Sequence, residues 1–291
     1  MLWADGSAQA AGRRRGAFVA CALLFGLVGA IYGGDAKADP VREGGAALLA
    51  ASQGGPSAGA SRQVTVGRSV RGRKIQARRA GDPTAAFKAL IVGSIHGDEP
   101  EGLRIVRQLR RRVSTGVRDV DLWTITTVNP DGLAAGTRKN RRGVDLNRNF
   151  GFRWSRAEPP GSGYYGGTGP FSEPESKAVR KLIKRVKPKV TAWYHQPWGR
   201  TLVPCDWRAR YARRYAALSG LSPSSRCDSH VPGSAIEWLS HTFGTAALVV
   251  ELPGRPLRAN EVTRHVRAVV GLLRSMPRTW PSISPSRPLG A

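Results

Sequence analysis

Four apolar runs in this chain each end on a side chain able to do chemistry. "KALIVGSIHGDE" (88–99) reaches His96 and Glu99, and "WTITTVN" (123–129) reaches Asn129. "VTAWYH" (190–195) reaches His195, and "ALVVE" (247–251) reaches Glu251. Short continuous apolar runs read as strands buried on both faces. Between them lie segments of helical period. "EGLRIVRQLRRRV" (101–113) keeps Leu103, Val106, Leu109 and Val113 in step, and "EVTRHVRAVVGLLRSM" (261–276) is amphipathic. "SEPESKAVRKLIKRV" (172–186) opens on a serine with a glutamate three residues on, the pattern of a capping box, and "RARYARRYAAL" (208–218) is a further helix. "QVTVGRSVRGRKIQARRA" (63–80) alternates on either side of Arg71-Gly72 as a hairpin should, and "PDG" (130–132) predicts a turn that stops the strand before it. Alternating strands and helices predict a wound α/β sheet, whose sites lie at the carboxyl ends of its strands. Side chains from separate strands can then converge on one rim.

His96 and Glu99 are three residues apart, a spacing that brings imidazole and carboxylate together on a tight turn entering a helix. With His195 they form the two-His, one-Glu set of a catalytic zinc site, which leaves a position for water. Such a metal lowers the pKa of water and polarises a carbonyl. Taken singly, each has a plainer reading: His-x-x-Glu as a surface pair, His195 as a core histidine. Glu251, at the end of an apolar strand, needs a partner or a task. It is either a general base that takes a proton from water and passes it to a leaving nitrogen, or one half of a salt bridge to one of the many arginines. In "GTRKNRRGVDLNRNF" (136–150), Arg138 could stabilise an oxyanion, and Asn147 with Arg148 could grip a substrate carboxylate. A solvated basic loop is the alternative for that stretch. Within 92–102, Gly97 lets the backbone turn tightly, Pro100 suits the first helical turn, Asp98 is at most a partner orienting a ligand, and Glu101 favours a helix N-terminus.

The amino terminus bears on where such chemistry would occur. Arg13-Arg14-Arg15 precedes an apolar stretch (16–32), and "AKA" (36–38) has the form of a signal-peptidase site. Residues 1–38 therefore read as a cleaved secretory signal, with an uncleaved anchor as the alternative. The formal net charge is +26. Residues 1–38 hold four bases (Arg13, Arg14, Arg15, Lys37) and two acids (Asp5, Asp35), so cleavage removes little of it. Basicity then belongs to an exported protein, expected in the cell wall or periplasm, where anionic wall polymers are the fitting partners and nucleic acid is not. No aromatic-basic stacking motif is evident. Cys205 and Cys227, the two cysteines left after cleavage, are expected to form a disulfide. Residues 39–61 read as a flexible Ala/Gly/Ser linker, 62–276 as the catalytic domain and 277–291 as a Pro/Ser-rich tail.

These pieces together resemble the carboxypeptidase A-like zinc metallopeptidases. "GRSVRGRKI", "GSIHGDEPEG", "VNPDG", "TRKNRRGVDLNRNF", "YHQ" and "VVELP" stand in that family's order across residues 62–255. The resemblance implies a mixed, mostly parallel sheet of about eight strands between helices. It implies one Zn2+ on His96, Glu99 and His195, Arg138 as carbonyl polariser, Asn147 and Arg148 as carboxylate binders, and Glu251 as general base. One segment departs. Where digestive-type members carry a mobile tyrosine, "CDSHVPGSAIEW" (227–238) has none, and Ser229 or His230 stands nearby. Its Pro-Gly-Ser piece is closer to the bacterial murein peptide amidase branch, which implies hydrolysis of the γ-D-glutamyl–diaminopimelate bond of murein peptides. His230 and Glu237 are then candidate substrate contacts. Glu237 would meet the diaminopimelate amine, or would simply be a helix N-terminal acid. A general carboxypeptidase, an N-acyl amino acid deacylase and a non-catalytic wall-binding protein on the same fold are the other readings.

Overall fold

The computed structural model describes residues 61–227 and 231–280. The expected signal segment, the linker up to residue 60, Ser229 with His230, and the tail from residue 281 lie outside the described residues. Among the described residues, no helix is long and apolar enough to cross a membrane.

Eight strands form one mixed sheet: β1 (Arg62–Arg68), β2 (Lys74–Gly81), β3 (Phe87–Val92), β4 (Val120–Ile125), β5 (Val190–His195), β6 (Trp198–Thr201), β7 (Ser222–Pro223) and β8 (Ala246–Pro253). Their spatial order is β1-β2-β4-β3-β5-β8-β6-β7. The four central strands, β4-β3-β5-β8, are mutually parallel. β1 pairs antiparallel with β2, β2 with β4, and β6 with β8. The hairpin expected over 63–80 is present, with Gly72 at φ 76° in its turn.

The helices are α1 (Glu101–Arg112), α2 (Pro130–Ala135), α3 (Pro174–Val186), α4 (Ala209–Ser219), α5 (Ala235–Phe243) and α6 (Ala259–Thr279). Period-2 alternation divides the core. Ala89 and Ile91 of β3, Ala192 and Tyr194 of β5, and Leu248 and Val250 of β8 pack with α1, α4 and α6. Leu90 and Val92, Trp193 and Ala247 point the other way, with α3 and α5. In α6 alone, Val262, Val266, Val269, Leu272, Leu273 and Met276 are buried, each contributing roughly 1.5–3 kcal/mol against leaving it in water. From β3 the chain crosses to β4 on one side, and later adds β5 and β8 on the other. The carboxyl ends of β3 and β5 therefore flank a topological switch point, where open α/β sheets bind ligands.

Four local expectations change. "PDG" starts helix α2 instead of a turn, because the Asn129 side chain accepts the Gly132 N–H and caps it. Ser172 does not cap α3: Pro174 takes a first-turn position, and Glu173 is the N-cap without a side-chain cap bond. Pro100 is likewise the N-cap of α1, one residue before the helix. α6 also runs through Pro277 to Thr279, further than its apolar period suggested.

Candidate active site

His96, Glu99, His195 and Glu251 gather at the carboxyl ends of β3, β5 and β8. His195 is the last residue of β5 and the Cα partner of Glu251 on β8. His96 and Glu99 come from the turn between β3 and α1. Gly97 in that turn does not adopt positive φ; it is required because a Cβ there would collide with the backbone of Gly132 in α2. The Ser94 hydroxyl donates to the His96 carbonyl and tightens the same turn.

Glu99 stands between the two imidazoles. Its Oε1 is 2.8 Å from His96 Nδ1, and its Oε2 is 2.8 Å from His195 Nδ1. The ring centroids of the two histidines are 4.9 Å apart. One ligand atom from each of the three residues lies within 4.8 Å of the other two, and all three residues are buried. Burial opposes ionisation of Glu99, but the two histidines outweigh it and hold the carboxyl down at about 2. Burial lowers both histidines; Asp145 and Glu99 together reverse that for His96, whereas His195, with Glu99 alone, stays lowered. Two imidazole nitrogens and a carboxylate converging in a buried cleft are donors for a divalent cation, so the arrangement fits zinc.

Asp145 was not singled out by the sequence reading, although it lies inside "GVDLNRNF". Fully buried, its Oδ1 is 3.0 Å from His96 Nε2, and its Oδ2 accepts from Arg138 Nε at 3.1 Å and Nη2 at 2.8 Å. Desolvation raises its pKa, but His96, Arg138 and Arg148 hold it well below the usual carboxylate range. Accepting the Nε2 proton of His96 leaves Nδ1 to face Glu99, as a metal ligand requires. Asp98, by contrast, is exposed. The orienting acid thus comes from 49 residues further along the chain, beyond the reach of local spacing. Glu101 accepts from the Leu257 N–H and Arg104, tying the start of α1 to the loop before α6.

Arg138 Nη1 lies 3.3 Å from Glu99 Oε1, so its guanidinium faces the triad. Asn147 and Arg148 belong to a short 3-10 helix (Leu146–Arg148) that Asp145 caps through the Asn147 N–H. This is part of a long segment joining α2 to α3. It is held by Asp145 N–H to Tyr165 O (2.8 Å), Phe150 N–H to Gly233 O (2.8 Å) and Asn149 side-chain bonds to Gly166 and Gly169. Gly233, from the Pro-Gly-Ser piece, has φ 69°, and a Cβ there would strike the Arg148 carbonyl. Glycine at that position lets the two segments meet.

Glu251 is 7% exposed, and its Oε2 has no hydrogen-bond partner. Burial first, then the charge of Glu99, pushes its carboxyl up to about 7. No arginine salt bridge occupies it among the described residues, which removes the structural alternative. A cavity of about 350 Å³ is lined by His96, Glu99, Arg138, Asn147, Arg148, His195, Glu237 and Glu251 together. Glu237 sits in the first turn of α5, whose cap is Ser234, and its Oε2 is 3.3 Å from His241 Nε2. It is both a helix N-terminal acid and a cavity wall. Cys205 and Cys227 form the expected disulfide, with Cα atoms 4.9 Å apart. Two aromatic residues at the mouth carried no signal in the sequence. Tyr164 is 52% exposed, with the guanidinium carbons of Arg138 and Arg148 5.4 and 5.0 Å from its ring centre, and Trp198 is 60% exposed.

Comparison with known proteins gives a consistent relationship. The zinc carboxypeptidase family profile matches residues 57–229. Murein peptide amidase A of Escherichia coli (strain K12) is 29% identical over 201 residues, covering 65% of this chain and 80% of that protein. The crystal structure of murein-tripeptide amidase from Escherichia coli O157 superposes with a TM-score of 0.59 at 26% identity, covering 76% of this chain and 93% of that one. Carboxypeptidase A from Helicoverpa armigera shares the fold, with a TM-score of 0.67 at 18% identity over 76% of this chain and 70% of that one.

Proposed function

The chain belongs to the zinc carboxypeptidase family and is a zinc metallopeptidase, and from that premise we propose that it hydrolyses the γ-D-glutamyl–diaminopimelate bond of murein peptides. The observation that carries the hydrolytic mechanism is the buried, unpartnered Glu251 oxygen beside the His96–Glu99–His195 triad. Zinc held by those three residues supplies Lewis acidity, polarising the scissile carbonyl and making water acidic. Glu251 takes a proton from the attacking water and returns it to the departing nitrogen. Its carboxyl, raised to about 7, is suited to both halves of that transfer at neutral pH. Arg138, oriented by Asp145, stabilises the negative charge that develops on the carbonyl oxygen. Asn147 and Arg148 hold a free carboxylate of the substrate.

The murein assignment draws on the likeness to murein peptide amidase A and on the charges lining the cavity. Diaminopimelate carries an amine and a carboxylate beyond those at the bond, and the cavity presents Glu237 and Arg148 on its walls. We assign the protein to the cell wall or periplasm from its amino-terminal signal pattern and net charge of +26. A general carboxypeptidase would use the same machinery. Comparing kcat/KM for a tripeptide ending in γ-D-glutamyl–diaminopimelate with L-peptides bearing free C-termini separates the two. Preference for the tripeptide by at least tenfold is expected, and equal or reversed preference would replace the murein reading with the broader one.

A further inference from the structure

The α1–β4 connection leads into the amino end of a parallel strand, so it lies at the pole of the sheet opposite the zinc ligands. A cavity of about 610 Å³ opens there against the last turns of α6. Its charged lining is Arg112, Arg118, Arg274 and Arg278, with Asp119 the single acid. All four arginines are exposed, and none makes a side-chain hydrogen bond or ion pair among the described residues. Elsewhere, arginines of these helices meet acids, as Arg104 does Glu101 and Arg264 does Glu261. Arg274 and Arg278 are one helical turn apart, a like-charge spacing that weakens a helix.

Two helix C-termini, those of α1 and α6, also meet here, each worth roughly half a negative charge. Those ends and Asp119 together offset about two of the four guanidinium charges, so a clear positive excess remains. The wall is fixed in shape. Gly116 donates to Val113 O (2.9 Å) and Val120 to Val117 O (3.1 Å), and Gly116, at φ 98°, packs directly on the backbone of Gly81.

We propose that this cavity is a binding site for phosphate or phosphodiester groups. Several planar guanidinium forks around one concavity match the tetrahedral oxygens of phosphate, which stays anionic at every physiological pH. The volume exceeds what one phosphate fills, so a phosphodiester chain can run through it. Such a site at the pole away from the cleft would anchor the enzyme to a polyanion and leave the catalytic mouth open. It stands independently of the bond assigned to the catalytic cleft.

The test is calorimetric titration of the zinc-loaded full chain, at fixed ionic strength, with inorganic phosphate and separately with poly(glycerol phosphate). Arg274→Gln/Arg278→Gln is compared with Arg213→Gln/Arg214→Gln, an equal charge change on exposed positions of α4. The first double variant should bind at least tenfold more weakly and the second within twofold of the parent, with peptide hydrolysis within twofold in both. Tighter binding of the polymer than of phosphate identifies a chain ligand, and the reverse a small anion. Equal weakening in both variants, which is bulk charge alone, or weakening in neither overturns the proposal.

Discussion

His195 and Glu251 sit side by side on one rung of the β5–β8 ladder. One ends in a nitrogen that faces Glu99, the other in a carboxylate oxygen without a partner. That juxtaposition gives a sharp expectation. Glu251→Gln is nearly isosteric and leaves the three ligands untouched. Zinc content by mass spectrometry should stay at one per chain while turnover falls about 10³-fold. Retained turnover would remove Glu251 from the proton transfer.

Asp145 links His96 to Arg138, so its loss should act on both. Asp145→Asn is expected to weaken zinc affinity about 10–100-fold and to lower kcat as well. Asp98→Asn, which neighbours Glu99 in the chain but is exposed, should change neither. Competition with a chromogenic chelator reads the affinity directly.

Arg148 presents a guanidinium to the cavity, stacked near Tyr164. Arg148→Lys keeps the charge and loses the fork. KM for substrates with a free C-terminal carboxylate should rise about tenfold with a smaller change in kcat. Peptides amidated at the C-terminus should be slow with both proteins and show no further loss.

A buried chain beneath the sheet governs stability rather than turnover. Tyr194 Oη is 3.0 Å from Tyr215 Oη, which is 2.8 Å from His265 Nδ1. Burial, then the charge of Arg264, pushes His265 from 6.5 down to about 4. The unfolded chain takes up this proton below pH 6.5, whereas the fold resists until about 4. The neutral imidazole's contribution is therefore complete above pH 6.5 and is lost as pH falls through 4. Between pH 7 and pH 5 the parent should lose about 2 kcal/mol more than His265→Gln, measured by denaturant unfolding. Parallel pH slopes would show that His265 does not titrate this way.

The parallel core was legible because β3, β4, β5 and β8 are continuous apolar runs, and their ends pointed to the site. The two histidines, Glu99 and Glu251 were legible for the same reason. Asp145 was not, since its importance depends on a loop folding back across 49 residues. The caps of α2 and α3 were misread where Asn129 and Pro174 compete locally with the simpler turn and capping-box patterns. β6 and β7 were missed because they are short and lack a buried apolar run, while α5 was signalled only through Glu237 as a helix N-terminal acid. Tyr164 lies in a glycine-rich stretch without a period and Trp198 opens the short strand β6, and only the three-dimensional path of the chain brings them to the cavity mouth.

The central claim is metal-dependent hydrolysis of one particular bond. The zinc-loaded chain should be incubated with a murein tripeptide ending in γ-D-glutamyl–diaminopimelate and the products identified by mass spectrometry. Free diaminopimelate and the dipeptide carrying D-glutamate are expected, and both should vanish with chelator and in Glu251→Gln. An intact tripeptide, cleavage at the other bond, or products unaffected by chelator would contradict the account.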